Sequence, residues 1–432
     1  DVERSRGLGD VYKRQTLKKA WKKGLLEKDQ RVLHWCPRCE TALAEHEVRG
    51  EYKIREDPSI YVKFPVEGRE NEYVLIWTTT PWTLPANLAV TVHPEYDYVK
   101  IRVNLEDREE YWIIAKALVD KVLEEVGMKG EVIKEYKGKD LEGLRYVHPF
   151  LEEYPRQKEF REKYEWAHCV ILGEHVTLGE GTGLVHTAPG HGEEDFEIGK
   201  QYGLPIYSPL DDEGRYFEGK WKGKFVKDAD PEIIEYLREK GLLLKPSTVE
   251  HKYPHCWRCK TPLIFRATDQ WFLKISKVKD KIIEENDKNV TWYPDWVKIR
   301  YDNGVMNSGD WCISRQRYWG IPLPIWSSED GEIYIVGTFR ELVELSVAIE
   351  VNGERIELPE SYDEKLRVIE EKLGPEDLHR PYVDAFVIKV NNKEMKRVKD
   401  VLDVWFDSGI ASWASLDYPR RKDLFERLWP AD

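Results

Sequence analysis

Cys36-Pro37-Arg38-Cys39 sets the organisation of this chain. A Cys-x-x-Cys turn presents two thiolates on one side of a tight knuckle, which is half of a tetrahedral zinc shell. The matching half, Cys256-Trp257-Arg258-Cys259, lies more than two hundred residues downstream. A simple zinc ribbon needs far fewer. The economical reading is one shared structural site, with a whole domain inserted between its halves and the metal clamping the incoming and outgoing strands. Ligand count alone leaves two weak sites, or no metal, as alternatives. Cys169 and Cys312 stand alone and read as buried free thiols.

A length of 432 residues exceeds one ordinary core, so roughly two to four domains are expected. Hydrophobic residues at 41% and aromatics at 12% support well-packed domains. No apolar run approaches a membrane span and no secretory signal is visible, so a cytoplasmic protein without membrane contact is expected. Four of the six cysteines fall in Cys-x-x-Cys pairs, which suits reduced metal ligands better than disulfides. The net charge of −13 argues against broad nucleic-acid affinity, because phosphate contacts need Lys and Arg. It leaves room for a local basic groove.

Residues 1–15 carry no apolar period and no strand pattern, and are set aside as a non-native or disordered tail. Leu17, Ala20 and Trp21 then fall at helical spacing, with Gly24 as a stop. From Ile60 the chain becomes strand-rich, with strands expected over Tyr73–Trp77, Val99–Val103, Tyr111–Ala115 and Gly183–Thr187. Leu118, Val122 and Val126 form a helical stripe closed by Gly127. Asp230 reads as an N-cap with Pro231 at the first helical position, and Gly241 closes that helix. Lys245-Pro246-Ser247 reads as a boundary.

Inside the expected insertion, Trp77-Thr78-Thr79-Thr80-Pro81-Trp82-Thr83-Leu84-Pro85-Ala86-Asn87 follows the apolar run Tyr73-Val74-Leu75-Ile76. Four hydroxyls and an amide, pinned by two prolines, offer donors and acceptors but no strong acid or base. Such a segment suits a pocket that works by positioning a small polar group or a water. A strand end with locally bonded threonines has the same composition. The second dense segment runs from Gly181 to Gly199, with His186 at the end of a short strand. Its Pro189-Gly190-His191-Gly192 turn leads into Glu193, Glu194 and Asp195 in the first turn of a helix. That geometry brings His186 and Asp195 to one mouth. Asp195 can pair with an ammonium group, and His186 can serve as wall, donor or base. Equally, acids at a helix start serve the macrodipole, and a strand-end histidine can be structural.

These segments resemble the isoleucyl-tRNA synthetases, a class I aminoacyl-tRNA synthetase family. The resemblance also rests on Asp310-Trp-Cys-Ile-Ser-Arg-Gln-Arg-Tyr-Trp-Gly320 and Asp400-Val-Leu-Asp-Val-Trp-Phe-Asp-Ser-Gly409, and extends from about residue 16 to the end. Valyl and leucyl enzymes carry Thr-Arg-Pro where this chain has Thr79-Thr80-Pro81, which points to the isoleucine group.

The resemblance implies a multidomain α/β and α+β chain: a β-rich, barrel-like editing domain inserted in a partial Rossmann-type catalytic domain. Residues 16–56 would be an exit helix and the first zinc half-site, 57–246 the editing domain, and 247–275 the second half-site and return. Residues 276–432 would be a truncated catalytic part. Thr78, Thr79, Thr80 and Thr83 would orient water, ester and terminal adenosine, supported by Asn87. Asp195 would bind the α-ammonium of a misattached valine, and His186 would help exclude isoleucine. Ser314 to Arg317 would lie near the synthetic site, with Trp319 and Trp405 lining the isoleucine pocket. Cys36, Cys39, Cys256 and Cys259 would hold zinc. The parent would use ATP and Mg to charge isoleucine tRNA.

The chain departs from the family in lacking the His-x-Gly-His and Lys-Met-Ser-Lys-Ser motifs, so it reads as an internal fragment that edits but forms no adenylate. A second knuckle of four cysteines is also missing. Ser327-Ser328 and Val390-Asn391-Asn392 stand in its region, and a metal-free insertion is expected there. A freestanding trans-editing deacylase or tRNA-binding module is the alternative, although such a protein has no need of Asp310–Gly320 and Asp400–Gly409. A noncatalytic zinc-stabilised interaction protein is a third reading.

Overall fold

The computed structural model describes residues 8–429. They divide into two compact units, one continuous, Gln30–Thr268, and one assembled from Asp1–Asp29 and Asp269–Asp432. The continuous unit holds both cysteine knuckles as well as the strand-rich stretch.

Its body is a nine-stranded mixed sheet. The strands are β1 (Tyr52–Pro65), β2 (Glu72–Thr78), β3 (Ala89–Val92), β4 (Asp97–Asn104), β5 (Glu109–Ala115), β6 (Gly130–Lys137), β7 (Cys169–Leu172), β8 (Leu184–Thr187) and β9 (Leu243–Pro254). The main path runs β6-β4-β5-β2-β8-β3-β7, with β1 joining β2 to β9. No pairing joins β6 to β7 among the described residues, so the sheet is half of a barrel rather than a closed one. β1 is buried on both faces from Ser59 to Phe64, with Ile60, Val62 and Phe64 on one side and Tyr61 and Lys63 on the other.

One side of β2 is shared between two parallel neighbours. β5 pairs with its start, Glu72 to Val74, and β8 meets its end at Trp77, opposite Val185. The threonine end of β2 and the histidine end of β8 thereby reach the same level of the sheet.

Beneath the sheet's β5 rim lies a buried charge cluster. Glu110 accepts from Lys63 at 2.9 and 3.0 Å, from Trp112 Nε1 at 2.9 Å, and from Arg108 at 2.9 and 3.1 Å. Both Glu110 and Lys63 are buried. Breaking such a pair leaves an uncompensated charge. Glu110→Gln is expected to cost this unit about 3–5 kcal/mol, read as a lower denaturant midpoint. An unchanged midpoint would reject the assignment.

Three expectations are corrected. The helix expected to start at Asp230 begins at Val226 and runs to Glu239. Asp230 is buried inside it and takes a backbone hydrogen bond from Trp82 instead of capping its own helix. Lys245-Pro246-Ser247 is no boundary but the interior of β9, an edge strand whose described partner is β1 alone, where proline is tolerated. Residues 8–15 are not a tail: a helix spans Leu8–Lys22, with Tyr12 and Leu17 buried. The remainder of the 1–15 stretch lies outside the described residues.

The discontinuous unit has two cores. Tyr12, Leu17, Trp271, Ile313, Leu323, Phe406 and Ile410 belong to one. The other packs helices Phe339–Leu345 and Tyr362–Leu373 on Trp326, Phe386, Ile388 and Met395. These last four residues come from a six-stranded sheet built of hairpins. Among the described residues the strands of this unit pair antiparallel. No Rossmann-type parallel sheet is seen among them: three of the pairings are local hairpins, and the others bring distant strands together antiparallel. At the hairpin tips that stand in the region of the missing second knuckle, Lys393 pairs with Asp330 and, at 2.8 Å, with Glu332, and Asn391 donates to Glu332 at 2.7 Å. An ion-pair network ties the two tips.

Candidate active site

Pro81 and Pro85 cannot donate backbone hydrogen bonds, so the chain leaving β2 tightens into a 3₁₀ turn over Pro81–Ala86. Thr83 N bonds Thr80 O and Asn87 N bonds Leu84 O, each at 3.0 Å. That turn gathers the hydroxyls. Thr78 and Thr80 Oγ1 lie 3.3 Å apart, as do Thr80 and Thr83 Oγ1. Thr83 Oγ1 reaches His186 Nε2 at 2.9 Å, and His186 Nδ1 meets Asn87 Nδ2 at 2.8 Å. Thr79 also lines the cavity, half-buried.

Opposite stands the loop from β8 into helix Glu193–Gln201. Asp195 turns back over the helix start and accepts from Ala188 N at 2.9 Å. Gly192 makes this possible, because a Cβ there would sit 2.5 Å from Asp195 Oδ2. Gly183, at φ +75°, lets β8 pass Ala115, whose Cβ a side chain would approach to 2.4 Å.

Both walls enclose a cavity of about 600 Å³, lined by Thr78, Thr79, Thr80, Thr83, His186 and Asp195. Asn87 stands behind it, bonded to His186. Among its lining residues are three carboxylates, Glu180, Glu194 and Asp195, and no Lys or Arg. Burial pushes Asp195 up to about 7, with Glu194 adding to the rise and the Ala188 amide opposing it. Burial lowers His186 to about 3 and His191 to about 4, so both rings are neutral at pH 7. His186 is thus a neutral donor to Thr83 rather than a free base.

The sequence reading missed several walls. His191 donates through Nδ1 to Phe265 O at 2.9 Å and meets Trp82 edge-on. His175 also lines the cavity. His191 lay inside the quoted motif and could have been found there. His175 and Phe265 carry no local signal.

Cys36, Cys39, Cys256 and Cys259 come together with all four sulfurs within 4.8 Å of one another, as free thiols. Tetrahedral Zn–S bonds of 2.3 Å imply S···S distances of about 3.8 Å, so the cluster is compatible with zinc. Glu40 and Lys260, each following the second cysteine of its pair, both take positive φ, 49° and 60°. The two knuckles therefore share one backbone form. Leu43, Val48 and Leu263 seal the site. Burial and the hydrogen bond with Cys259 push the Cys39 thiol up to about 11.

The remaining candidates lie in the other unit and outside this cavity. Arg315 is buried and paired with Asp403 at 2.7 Å, and Trp311 Nε1 donates to the same carboxylate at 2.9 Å. Ser314 Oγ donates to Gln270 at 2.6 Å, and Gln316 to the same oxygen at 2.8 Å. Trp319 is 70% exposed and stacks on His379, while Trp405 is 47% exposed at a helix start.

Comparison with known proteins agrees with these motifs. Isoleucine–tRNA ligase of Pyrococcus horikoshii is 82% identical over 417 residues, covering 96% of this chain and 39% of that protein. The Methanocaldococcus jannaschii ligase is 60% identical over 408 residues, covering 93% and 37%. The chain thus spans about two fifths of the length of these curated relatives. A crystal structure of GlLeuRS-CP1 is similar over 45% of this chain and 99% of that chain, with a TM-score of 0.33 and 17% identity. The family model for class I tRNA synthetases (I, L, M and V) matches residues 11–432, and the chain belongs to that family.

Proposed function

We propose that this chain is part of an isoleucine–tRNA ligase, and that its Gln30–Thr268 unit hydrolyses tRNA wrongly charged with valine. The observation that carries this reading is a carboxylate, Asp195, facing a threonine wall across a cavity lined by no cation. An aminoacyl ester presents an ammonium one carbon from its carbonyl. Asp195 would hold that ammonium and so fix the carbonyl near the threonines. The absence of Lys and Arg disfavours phosphate, so the terminal nucleoside enters while the phosphates stay outside.

The ester is already activated, so orientation supplies much of the catalysis. Water oxygen bonds to the carbonyl carbon and the bond to the ribose oxygen breaks. One water proton ends on that ribose oxygen, leaving a free tRNA end and the amino acid. A difference of one methylene, for which isoleucine against valine is the usual illustration, is worth little binding energy. A second pocket that excludes the larger chain multiplies the selection, and His186 with its neighbours would form the excluding wall. The four thiolates would hold a structural zinc. In the whole protein, ATP and Mg would serve the charging reaction, with Trp319 and Trp405 at the isoleucine pocket, in the cytoplasm.

The test is deacylation by this chain of isoleucine tRNA charged with either amino acid. Valyl-tRNA is expected to be hydrolysed well above the spontaneous rate and isoleucyl-tRNA to persist. Equal rates for the two esters, or none above background, would reject the reading.

A further inference from the structure

The row Asn87–His186–Thr83 has its polarity set from behind. Asn87 Nδ2 lies 2.8 Å from Ala89 O and 2.8 Å from His186 Nδ1. A carbonyl accepts only from a donor, so the amide nitrogen faces both. His186 Nδ1 must then be the acceptor, and Nε2 carries the proton. That proton is given to Thr83 Oγ1, whose own proton goes to Thr80 O at 2.9 Å. Thr83 Oγ1 then has no proton left, and meets both Thr80 Oγ1, at 3.3 Å, and the cavity as an acceptor only.

Three buried residues hold Asn87 in place, and none of them lines the cavity. Tyr146 OH donates to Asn87 Oδ1 at 2.5 Å. Gln157 Nε2 donates to Pro85 O at 2.8 Å and Asn87 O at 3.2 Å, and its Oε1 accepts from His168 Nε2 at 2.9 Å. Gln157 and His168 grip the backbone of the 3₁₀ turn. Of the three, Tyr146 is the one that bonds the amide itself, at its oxygen, while Ala89 O and, at 3.4 Å, Thr187 O accept from its nitrogen.

We propose that Tyr146 is a positioning residue of this pocket: its hydroxyl fixes the Asn87 amide, hence the His186 tautomer and the direction of the Thr83 proton. The proposal rests on the hydrolytic reading above. Its consequence is chemical. A water beside Thr83 must donate to it, which turns a lone pair of that water away from the wall and toward the ester carbon. No general base is needed to orient it.

Tyr146→Phe removes only the hydroxyl. In the whole 432-residue chain, kcat for valyl-tRNA hydrolysis is expected to fall about ten-fold or more, as for other outer partners of a site group, with KM within about two-fold. The ¹⁵N signals of His186 are expected to pass from one Nε2–H tautomer to a mixture. A merely structural tyrosine would lower the melting temperature and leave the tautomer alone. Asn87→Asp is the companion variant. It sets a carboxylate oxygen against Nδ1 and is expected to bring the His186 titration up into the accessible range. An unaltered tautomer in Tyr146→Phe, or an unaltered titration in Asn87→Asp, overturns the proposal. Absence of valyl-tRNA hydrolysis by the unmodified chain sinks the hydrolytic reading instead, and the ¹⁵N signals still decide on Tyr146.

Discussion

Asp195→Asn is expected to lower kcat/KM for valyl-tRNA hydrolysis by about 10²- to 10³-fold, from the 2–5 kcal/mol lost when one partner of a desolvated charge pair is removed. The amide keeps the shape and can still accept from Ala188 N, so the loss isolates the charge. The pH profile sharpens the test. Free Asp195 titrates at about 7, pushed there by burial. Because kcat/KM reports the free enzyme, it should rise with pH through about 7 on a single ionisation. His186 and His191, at about 3 and 4, contribute nothing to that limb. Asp195→Asn should abolish it.

Stability should move the other way. A carboxyl raised above its unfolded value favours the fold while protonated. That contribution is fully present below the unfolded value near 3.8 and is lost as pH rises through about 7. The Asn variant, which never ionises, is therefore expected to gain melting temperature relative to the unmodified chain between pH 5 and pH 8. Unchanged hydrolysis in Asp195→Asn would end the ammonium role. A variant that melts lower at pH 8 would contradict the burial cost.

Removal of the proposed zinc is expected to have the second large effect. The seal around the four cysteines is small, with Leu43, Val48 and Leu263 as its aliphatic buried members. Little apolar burial would hold the knuckles once the sulfurs lose their cation. Structural zinc sites bind with apparent energies of about 10–16 kcal/mol, part of which is spent on ordering the ligands. Chelation, or Cys256→Ser, is expected to cost this unit at least about 5 kcal/mol by that scale. Protease cleavage should then appear first at the Cys36–Thr41 and Cys256–Thr261 turns. Elemental analysis of the purified chain should return one zinc per molecule. A zinc-free chain with an unchanged melting temperature would overturn the assignment.

Much of this was legible in the sequence because it follows from spacing. Two Cys-x-x-Cys pairs predicted one cluster, and the strand-rich character from Ile60 onward predicted the sheet that β1 and β2 open. Leu118, Val122 and Val126 before Gly127 predicted a helix that forms over Val119–Val126 with Gly127 at φ 72°. Composition left the threonine run and the Gly181–Gly199 segment open between pocket and local structure, and only their joint resemblance to a family motif set favoured the pocket. What escaped was set by partners distant in sequence. Asp230 looks like a cap, yet its carboxylate serves Trp82. Pro246 looks like a break, yet an edge strand accommodates it. Tyr146 and Gln157 are isolated polar residues whose importance arises only when folding brings Asn87 beside them. Residues 8–15 lack an apolar period, yet helix Leu8–Lys22 is held by burial of Tyr12 and Leu17.

The junction of Trp77 with Val185 also fixes an order of events during synthesis. β5 can cover the start of β2 soon after it is made, but the threonine end must wait for β8, about a hundred residues later. At a translation rate of about 5–20 residues per second, that interval is roughly 5–20 s. Throughout it, the threonine wall has water for a neighbour and no second half. The pocket therefore closes well after β2 has gained its first neighbours, and a pause in translation between residues 115 and 184 prolongs its exposure without disturbing the strands already paired.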